Sequence, residues 1–542
     1  MRFPALLLPA LLICSLSAAA QTPEIRTGPP PAGPERQSDR RIAEAEPKVD
    51  KPTKAELKLS AELIDRAQAL ANDLNDTDRA YVLAKMAELT AKRKPEQSKT
   101  WAEEAFKLAA NANDGPSSQI QMSAMMAVSQ NDLDRALQML SEMPAQRPRS
   151  DGSQSPDIRG AATTMLFTRA FTKEGMSAVE KLQASARQMG ENGFYPYMAV
   201  SQLLRGVGEK DKERAQSIAM DAVAFINRRP LSGMESQQVT MFLQSARDVI
   251  PRPMVKEILE RVVKDALETA KQSDGTQVAA SFQTEDGQSA QLNSMATLMI
   301  FQLLPMIRDV DPDWAKKLED QSEELKRVAA LMNSGQRTSI MIGARTGGPT
   351  GPNGNQRDFR DELQSNSVDE LAARDPQRAM ETAQAIKDPT VRVAAIARAS
   401  AAGTDAAAKE KALKDAKDAL AQASDPRDKL TILAGLAQAQ ASMKDDEGLA
   451  ATLQQSFVLA DDMFRRSVDK TPDGGAWMRP GVQATTSMVR AGARKSPQIF
   501  TEKIDGVRHQ PLKALLLLSA AEALDPESRS NSGPQFRFAF SN

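Results

Sequence analysis

Histidine and cysteine, the side chains used most often for metal binding and nucleophilic catalysis, are almost missing from this chain. Among 542 residues there is one histidine, His509, and one cysteine, Cys14. Metal sites need several matched ligands, and Ser-His-Asp or Cys-His arrangements need a histidine base. His509 stands two residues before Pro511, and we interpret it as a solvated turn residue. The sequence therefore predicts no catalytic residue, no metal ligand and no cofactor.

Carboxylates offer a different route to chemistry. Acidic clusters occur at 311–313 and 445–447, but neither has the spacing of a calcium loop. We interpret the first as a helix cap and the second as a solvated turn. All-helical toroidal glycosidases assemble a carboxylate pair from distant helices. With 71 acidic residues and no distinguishing motif, such a pair stays open.

Two further patterns are weighed against simpler explanations. Residues 343–350 resemble a phosphate-binding loop, but they lack its lysine and follow no expected strand. They are typical of a linker. Met122, Met125 and Met126 could bind Cu(I) in an exported protein, although methionine at helical spacing more commonly fills a core.

Two aromatic segments stand out in a chain that is 4% aromatic. One contains Tyr195 and Tyr197, and the other contains Trp477 and Arg479. Aromatic residues and arginine in loops are typical of protein interface anchors. These four residues are the predicted partner-binding positions. The alternative is that they close the ends of helices.

The last residues carry Phe536, Phe538 and Phe540. Alternate spacing is typical of a strand, and such a strand could extend a partner's sheet. Disorder of the terminal segment is the alternative that we favour for the tail, residues 526–542.

The N-terminus has the pattern of a secretory signal peptide. Arg2 precedes an apolar run at 5–13, and small residues follow at 15–20. This predicts a signal peptide at 1–20, cleaved between Ala20 and Gln21. The apolar run is shorter than the roughly 20 residues that span a bilayer. A mature protein in the periplasm or the extracellular space, with no transmembrane segment, is therefore expected.

Cys14 lies within that signal. A lipoprotein anchor at Cys14 would need a small residue before it, whereas Ile13 precedes it. Cleavage after residue 20 therefore leaves a mature chain that can form no disulfide.

The charge balance and composition narrow the kind of partner. The whole chain has 70 Lys and Arg against 71 Asp and Glu, and removal of Arg2 leaves 69 against 71, or −2. A nucleic-acid-binding protein would carry a basic surplus, so no nucleic acid partner is expected. The scarcity of aromatic residues counts against a carbohydrate groove. The abundance of Ala, Leu, Glu, Lys and Met favours helix.

Proline and glycine divide the chain. Residues 21–53 are rich in proline and predict a disordered linker. From residue 54, apolar residues recur at helical spacing until a loop rich in glycine and proline at 335–357. The sequence thus predicts two helical arrays, at 54–334 and 358–525.

Internal similarity indicates repeats of about 40 residues. Asp388-Pro389 with Arg392 and Ile396 recurs 37 residues later as Asp425-Pro426 with Lys429 and Leu433. A further copy, displaced by 121 residues, matches Pro376 with Pro497, Arg392 with Lys513 and Ile396 with Leu517. The N-terminal array has a similar pair of patterns, which begin at Asn75 and Asn131.

Helix physics accounts for this spacing. Aspartate suits the N-cap and proline suits the first helical position. The aliphatic residue eight positions after the cap would pack on the neighbouring helix, and the basic residue between them would reach a carboxylate. A single helix pair cannot bury its apolar face, so pairs stack.

These helix pairs resemble α-solenoids of the tetratricopeptide or HEAT kind. Ala102, Phe106 and Ala109 have the spacing of the second helix of a tetratricopeptide repeat. The preceding helix departs from that family, which favours Trp, Leu, Gly and Tyr at the positions of Met86, Leu89, Thr90 and Arg93. The resemblance implies an all-α α-solenoid of antiparallel helix pairs with a binding surface along the array, and it implies no particular site residue.

Together these observations predict an exported, non-catalytic helical-repeat scaffold that binds a protein or peptide. One alternative is an all-α toroid-type enzyme that acts on an envelope polymer. The other is an envelope assembly factor that uses the aromatic tail.

Overall fold

The structure is a computed structural model that describes most of the chain from residue 51 to residue 528. The gaps within that range are 113–114, 144–157, 229–230, 232, 273–279, 285–287, 333–337, 343–358, 373–374, 404, 471–474 and 480. The predicted signal peptide (1–20), nearly all of the predicted linker (21–53) and the tail beyond residue 528 lie outside the described residues.

The described residues are nearly all helical, so the prediction of an all-α helical-repeat fold is confirmed apart from three short strands. The α-helices are α1 (Lys54–Ala71), α2 (Asp76–Thr90), α3 (Pro95–Ala112), α4 (Gly115–Val128), α5 (Leu133–Glu142), α6 (Ile158–Glu174), α7 (Val179–Glu191), α8 (Tyr197–Gly208), α9 (Lys212–Ile226), α10 (Gly233–Ala246), α11 (Arg252–Gln272), α12 (Met295–Val310), α13 (Pro312–Gln321), α14 (Glu323–Met332), α15 (Phe359–Ala372), α16 (Pro376–Gln384), α17 (Pro389–Ala402), α18 (Ala406–Gln422), α19 (Pro426–Met443), α20 (Asp446–Lys470), α21 (Val482–Gly492), α22 (Pro497–Asp505) and α23 (Gln510–Leu524). The strands are β1 (Ala280–Thr284), β2 (Ser289–Leu292) and β3 (Thr338–Ile342). Single 3₁₀ turns occur at Gly175–Ala178, Ala476–Met478 and Pro526–Ser528.

Contacts group the chain into two compact units. Among the described residues, the split unit combines those within 32–136 with those within 355–542, and the central unit takes those within 137–354. The predicted arrays at 54–334 and 358–525 rest on sequence repeats and remain a prediction. By contacts, the first helices belong with the last ones rather than with the middle of the chain.

Helices of the split unit form a stack that passes from one end of the chain to the other. In one layer, α15, α17, α19, α21, α23, α2 and α4 each pack on the next. The helices α16, α18, α20, α22, α1 and α3 bridge successive members of that layer. At α23 the stack continues into α1, so the first helix of the chain occupies the place of a following repeat. A stack in strict sequence order would leave α1 at one end of the array, and this junction departs from that order.

The Asp-Pro sites begin helices as the sequence predicted. The carboxylate of Asp388 accepts hydrogen bonds from the N–H groups of Thr390 and Val391, the second and third residues of α17, at 2.8 and 3.0 Å. Asp425 accepts the second N–H group of α19 at 2.7 Å. Pro389 and Pro426 occupy the first helical positions, where the missing N–H removes no helical bond.

The basic residue of the repeat has a different partner from the expected one. Arg392 donates to the carbonyl oxygen of Ile386 at 3.1 Å rather than to a carboxylate. Its counterpart Lys513 donates to the carbonyl oxygen of Asp505 at 2.9 Å and lies 3.8 Å from that residue's carboxylate. The shared role is therefore to satisfy a carbonyl at the C-terminal end of the preceding helix, where carbonyl groups lack helical partners.

Helices of the central unit alternate in the same way, since α6, α8, α10 and α12 pack in succession. This unit also holds an antiparallel sheet in the order β2-β1-β3, and β2 packs on α14. Ala290 and Leu292 of β2 are buried, while Ser289 and Gln291, which alternate with them, are exposed. The strands were missed because each has only four or five residues, and β3 lies inside the predicted loop at 335–357. No described helix is both long enough and apolar enough to cross a membrane.

Candidate binding site

The site is built on the first turn of α2. Asn75 caps this helix by accepting the N–H of Asp78 at 2.9 Å. The Asp78 carboxylate accepts the N–H of Ala476 at 2.6 Å and the side-chain amide of Asn75 at 3.0 Å. Burial raises the pKa of Asp78, and the Ala476 hydrogen bond opposes that rise. The 3₁₀ turn at 476–478 is thereby anchored to α2, although 398 residues separate the two.

One helical turn beyond Asp78, Tyr81 stacks on Trp477. The two rings lie 4.2 Å apart between centroids and are inclined by 5°. Gly475 is required here, because a Cβ at that position would collide with the Trp477 ring. Trp477 is half-buried, and its indole N–H has no hydrogen-bond partner among the described residues. The next residue, Met478, is 39% exposed.

Four charged side chains surround Tyr81. Lys85 of α2 lies 2.7 Å from Glu88 of the same helix, and Arg490 of α21 lies 2.8 Å from Glu522 of α23. All four remain partly accessible, with exposed side-chain fractions between 15% and 32%. Burial raises the pKa of Tyr81. The positive charges of Lys85 and Arg490 oppose this rise, and the negative charges of Glu88 and Glu522 reinforce it. Each of these charges is thus close enough to act on the phenol.

We call this surface the α2 patch. Its members are Tyr81, Lys85, Glu88, Trp477, Met478, Arg490 and Glu522. The patch combines a flat aromatic stack and a flexible thioether with two ion pairs, and its formal charge is zero. Aromatic and methionine side chains supply adaptable apolar contact, and partly exposed ion pairs offer donors and acceptors at its rim. These are the components of a binding surface for a polar chain with some apolar side chains.

The predicted anchor Arg479 lies behind the patch. Its side chain is largely buried, at 7% exposure. The guanidinium group lies 5.2 Å over the ring of Phe464, and Nη1 donates to Ser467 at 3.3 Å. Arg479 therefore ties the turn to α20, while its neighbours Trp477 and Met478 are the accessible side chains.

Tyr195 and Tyr197 are packed inside the central unit. They are 5% and 3% exposed. Tyr195 stacks on Phe225 with a centroid distance of 4.7 Å, and Tyr197 lies 6.1 Å from Phe242. This placement fits the alternative interpretation, in which these aromatic residues close helix ends. A role in partner binding remains a prediction for them.

The structure also places the other candidates for chemistry. Asp311 caps α13 as predicted, since it accepts the N–H of Trp314 at 3.0 Å. His509 is not simply a solvated turn residue, because Nδ1 lies 2.7 Å from Asp461 and the ring lies 5.2 Å from Phe464. The Asp461 carboxylate also accepts the N–H of His509 at 3.1 Å. Among the described residues no hydroxyl group bonds this imidazole, so the pair joins α20 to the start of α23.

Part of the patch was open to sequence reasoning and was missed. Tyr81, Lys85 and Glu88 are spaced by four and three residues, which places them on one face of a helix. An aromatic residue followed by two charges on one face is a signal of an accessible surface. Their meeting with Trp477 could not be read from the sequence, because the contact spans nearly 400 residues.

These features define a class, a nearly all-α helical-repeat protein, and comparisons with known proteins do not narrow it. No protein-family model matches the chain. No curated protein matches it either. One solved structure that it is similar to is described as a "circular tandem repeat protein with novel repeat topology and enhanced subunit contact surfaces". That similarity has 12% identity and a TM-score of 0.18, and it covers 88% of this chain and 98% of the other. A superposition this weak carries no inference about shape or function.

Proposed function

We propose that the mature chain is an exported, non-catalytic scaffold that binds an extended peptide segment of a partner protein at the α2 patch. The observation that carries the proposal is the Tyr81–Trp477 stack, which is held in place by Asp78 and bordered by accessible ion pairs. Large aromatic side chains at the centre of an interface supply most of its binding energy.

The charge of the patch supports a peptide rather than a polyanion. Lys85 is matched by Glu88 and Arg490 by Glu522, so no surplus positive charge is available for phosphate groups. A peptide backbone presents both donors and acceptors, and it can use both members of each pair. Its apolar side chains can pack on Trp477 and Met478.

The carboxylates within the patch and beside it are already engaged, which favours binding over catalysis. Asp78 has a raised pKa, as a general acid would, but both of its oxygens accept hydrogen bonds that hold the site together. Glu88 and Glu522 are each in an ion pair. Their arrangement supports a structural and recognition role.

Peptide binding is tested with the full mature chain and a displayed library of random peptides. A selected peptide should bind at micromolar affinity or better in calorimetry. Trp477→Ala and Tyr81→Ala should each weaken binding by about 30-fold, the effect of losing roughly 2 kcal/mol at an interface anchor. Val458→Ala is the matched control, because Val458 is an apolar residue of the same unit that is 58% exposed. Its substitution should leave the affinity unchanged.

Two results would overturn this proposal. One is a failure to select any peptide that binds the folded chain. The other is an affinity that survives both aromatic substitutions while circular dichroism shows intact helices. In either case the aromatic stack would be a packing feature.

The export component rests on the pattern of residues 1–20 and is tested separately. A fusion of residues 1–53 to a reporter enzyme should reach the cell envelope, and the N-terminal residue of the processed protein should be Gln21. Retention in the cytoplasm with residues 1–20 intact would contradict it.

A further inference from the structure

The α2 patch is made by two segments from opposite ends of the chain. Tyr81, Lys85 and Glu88 belong to α2, whereas Trp477, Arg490 and Glu522 come from the last third of the chain. We call the interface between the N-terminal segment, α1 to α4, and the C-terminal segment, α15 to α23, the seam. The patch crosses the seam, so neither segment contains the complete site.

Polar contacts across the seam join residues that are 398 to 461 positions apart. Arg93 donates to both carboxylate oxygens of Asp525, at 2.5 and 2.8 Å, and the Asp525 side chain is only 5% exposed. Arg494 donates to Glu56 at 2.8 Å. Ser60 donates to the carbonyl oxygen of Ala521 at 3.0 Å.

A third ion pair, between Arg66 and Asp505, also crosses the seam. The contacts surround an apolar junction, where Leu63, Ile64 and Ala67 of α1 are buried as that helix packs on α23. The ion pairs therefore lie at the edges of an apolar contact between the two ends.

These contacts differ in strength. The Arg494–Glu56 and Arg66–Asp505 side chains are 20% to 48% exposed, and such pairs contribute little and weaken with salt. The Arg93–Asp525 pair is different, because removal of Arg93 leaves a nearly buried carboxylate without its partner. Arg93 is thus the residue whose loss should open the seam most.

Chain connectivity gives the seam a second distinctive property. Its two sides are joined only through residues 137–354, the central unit. No backbone link joins them directly, so packing and ion pairs at the seam hold the two sides together. The seam is accordingly a place where the split unit can open while each segment keeps its own helices packed.

We infer that closure of the seam switches the α2 patch on, so that peptide binding and the joining of the two chain ends are thermodynamically linked. This inference rests on the proposed function, because it concerns control of the same site. A ligand that contacts both sides binds only the closed form and stabilises it. Any change that opens the seam then weakens binding without contacting the ligand.

The test uses the full mature chain carrying Arg93→Gln, with Arg135→Gln as the matched control. Arg135 of α5 forms an ion pair with Glu103 of α3 at 2.9 Å, and this pair does not cross the seam. Arg93→Gln should raise amide hydrogen exchange in α1 and α23 at least tenfold and weaken the selected peptide about tenfold. Arg135→Gln should leave both the hydrogen exchange of α1 and α23 and the peptide affinity unchanged.

A second readout works without any peptide. In a chain with Trp101→Phe and Trp314→Phe, Trp477 is the single tryptophan. Opening the seam separates Trp477 from Tyr81, so Arg93→Gln should increase acrylamide quenching of its fluorescence. Arg93→Lys, which keeps the charge but not the paired geometry, should give an intermediate value.

The outcomes separate this inference from the proposed function. If Arg93→Gln speeds exchange while peptide affinity stays unchanged and Trp477→Ala still abolishes binding, the linkage is wrong and the peptide site stands. If no peptide binds but Arg93→Gln raises Trp477 quenching, the seam controls the patch and the choice of ligand is wrong. Unchanged exchange and quenching in Arg93→Gln would overturn the seam as a switch.

Discussion

The split unit and the central unit use the same alternation of helices, but one helix contact in each shows two different ways of filling the space between helices. In the split unit, α17 and α19 meet through small residues, with Gly435 against the backbone of Ala394. In the central unit, aromatic rings fill the contacts, as Phe225 does beside Gly190. The difference indicates that a repeat remains recognisable in the sequence where small residues and helix caps set the spacing between helices.

The units also differ in how their chain is connected. The central unit is one continuous segment, whereas the split unit needs both ends of the protein. The regular unit therefore depends on a contact over more than 400 residues, and the irregular unit does not. Substitutions in the two units should reflect these differences, and the following predictions use them in order of decreasing effect.

Tyr195→Ala should have the largest effect on stability. Its ring is buried between Tyr197 and Phe225, and removal of a buried aromatic side chain costs about 3 to 5 kcal/mol. Urea unfolding measures this loss when it is followed by the fluorescence of Trp314, which lies in the central unit, in a background carrying Trp101→Phe and Trp477→Phe. Peptide affinity at the α2 patch should stay unchanged. A selective loss of affinity with normal unfolding would instead support Tyr195 as a partner-binding residue.

Gly435→Ala should destabilise the split unit by about 3 kcal/mol, the upper part of the usual range for overpacking. A Cβ at 435 would lie 2.7 Å from the Ala394 carbonyl oxygen, and this backbone cannot move away without shifting a helix. In the central unit, Gly206→Ala would meet the ring of Phe171, a side chain that can move. Its loss should be about 1 kcal/mol. Equal losses in the two variants would contradict the contrast in packing.

Much of the fold follows from local signals in the sequence. Asp388 and Asp425 predicted the starts of α17 and α19, because a cap and a proline act within one helical turn. The junction of α1 with α23 could not be predicted in the same way. It depends on tertiary contacts such as Arg93 with Asp525, and no sequence pattern links these two residues.

The site shows the same limit. Trp477 was singled out from composition, and the structure places it at the patch, while Arg479 is buried behind it. Tyr81 was not singled out, because one tyrosine on a helix has many roles. Tyr81 becomes part of the patch because the Asp78–Ala476 hydrogen bond holds the distant turn that carries Trp477 against α2. Contacts of that kind are set by the packing of whole helices.

The contributions of two carboxylates to stability should respond to pH in opposite directions. The hydrogen bond from Lys256 holds the pKa of Asp311, in the central unit, below its usual range. Its stabilising contribution is present at neutral pH and is lost as pH falls through the lowered value. Burial holds the pKa of Asp78, in the split unit, above its usual range. Its contribution therefore increases as pH falls through the raised value towards that of the unfolded chain, about 3.9.

Asp311→Asn and Asp78→Asn should separate these responses. The stability difference between wild type and Asp311→Asn should shrink as pH falls from 7 to 3, because the wild type loses its advantage. The difference for Asp78→Asn should grow over the same range. Urea unfolding at several pH values, read from Trp314 for the first variant and Trp477 for the second, measures both trends. Parallel trends would show that the two carboxylates have similar environments in solution.

The smallest expected effects come from the basic residues of the repeat, and they test how regular the split unit is. Arg392 and Lys513 each donate to a carbonyl group at the end of the preceding helix. Replacement of either by methionine keeps most of the apolar stem and removes one charged donor, so a loss of about 0.5 to 1.5 kcal/mol is expected.

The third copy of this position provides the control. Lys429 follows the same Asp-Pro cap, and among the described residues it makes no hydrogen bond or ion pair through its side chain. Lys429→Met should therefore change the stability by less than about 0.5 kcal/mol. Denaturation of the three variants side by side, followed by Trp477 fluorescence, decides the matter. Equal losses of stability at all three positions would mean that the repeated positive charge acts through its electrostatic field. Losses at Arg392 and Lys513 alone would mean that the basic residue acts by capping the end of the preceding helix.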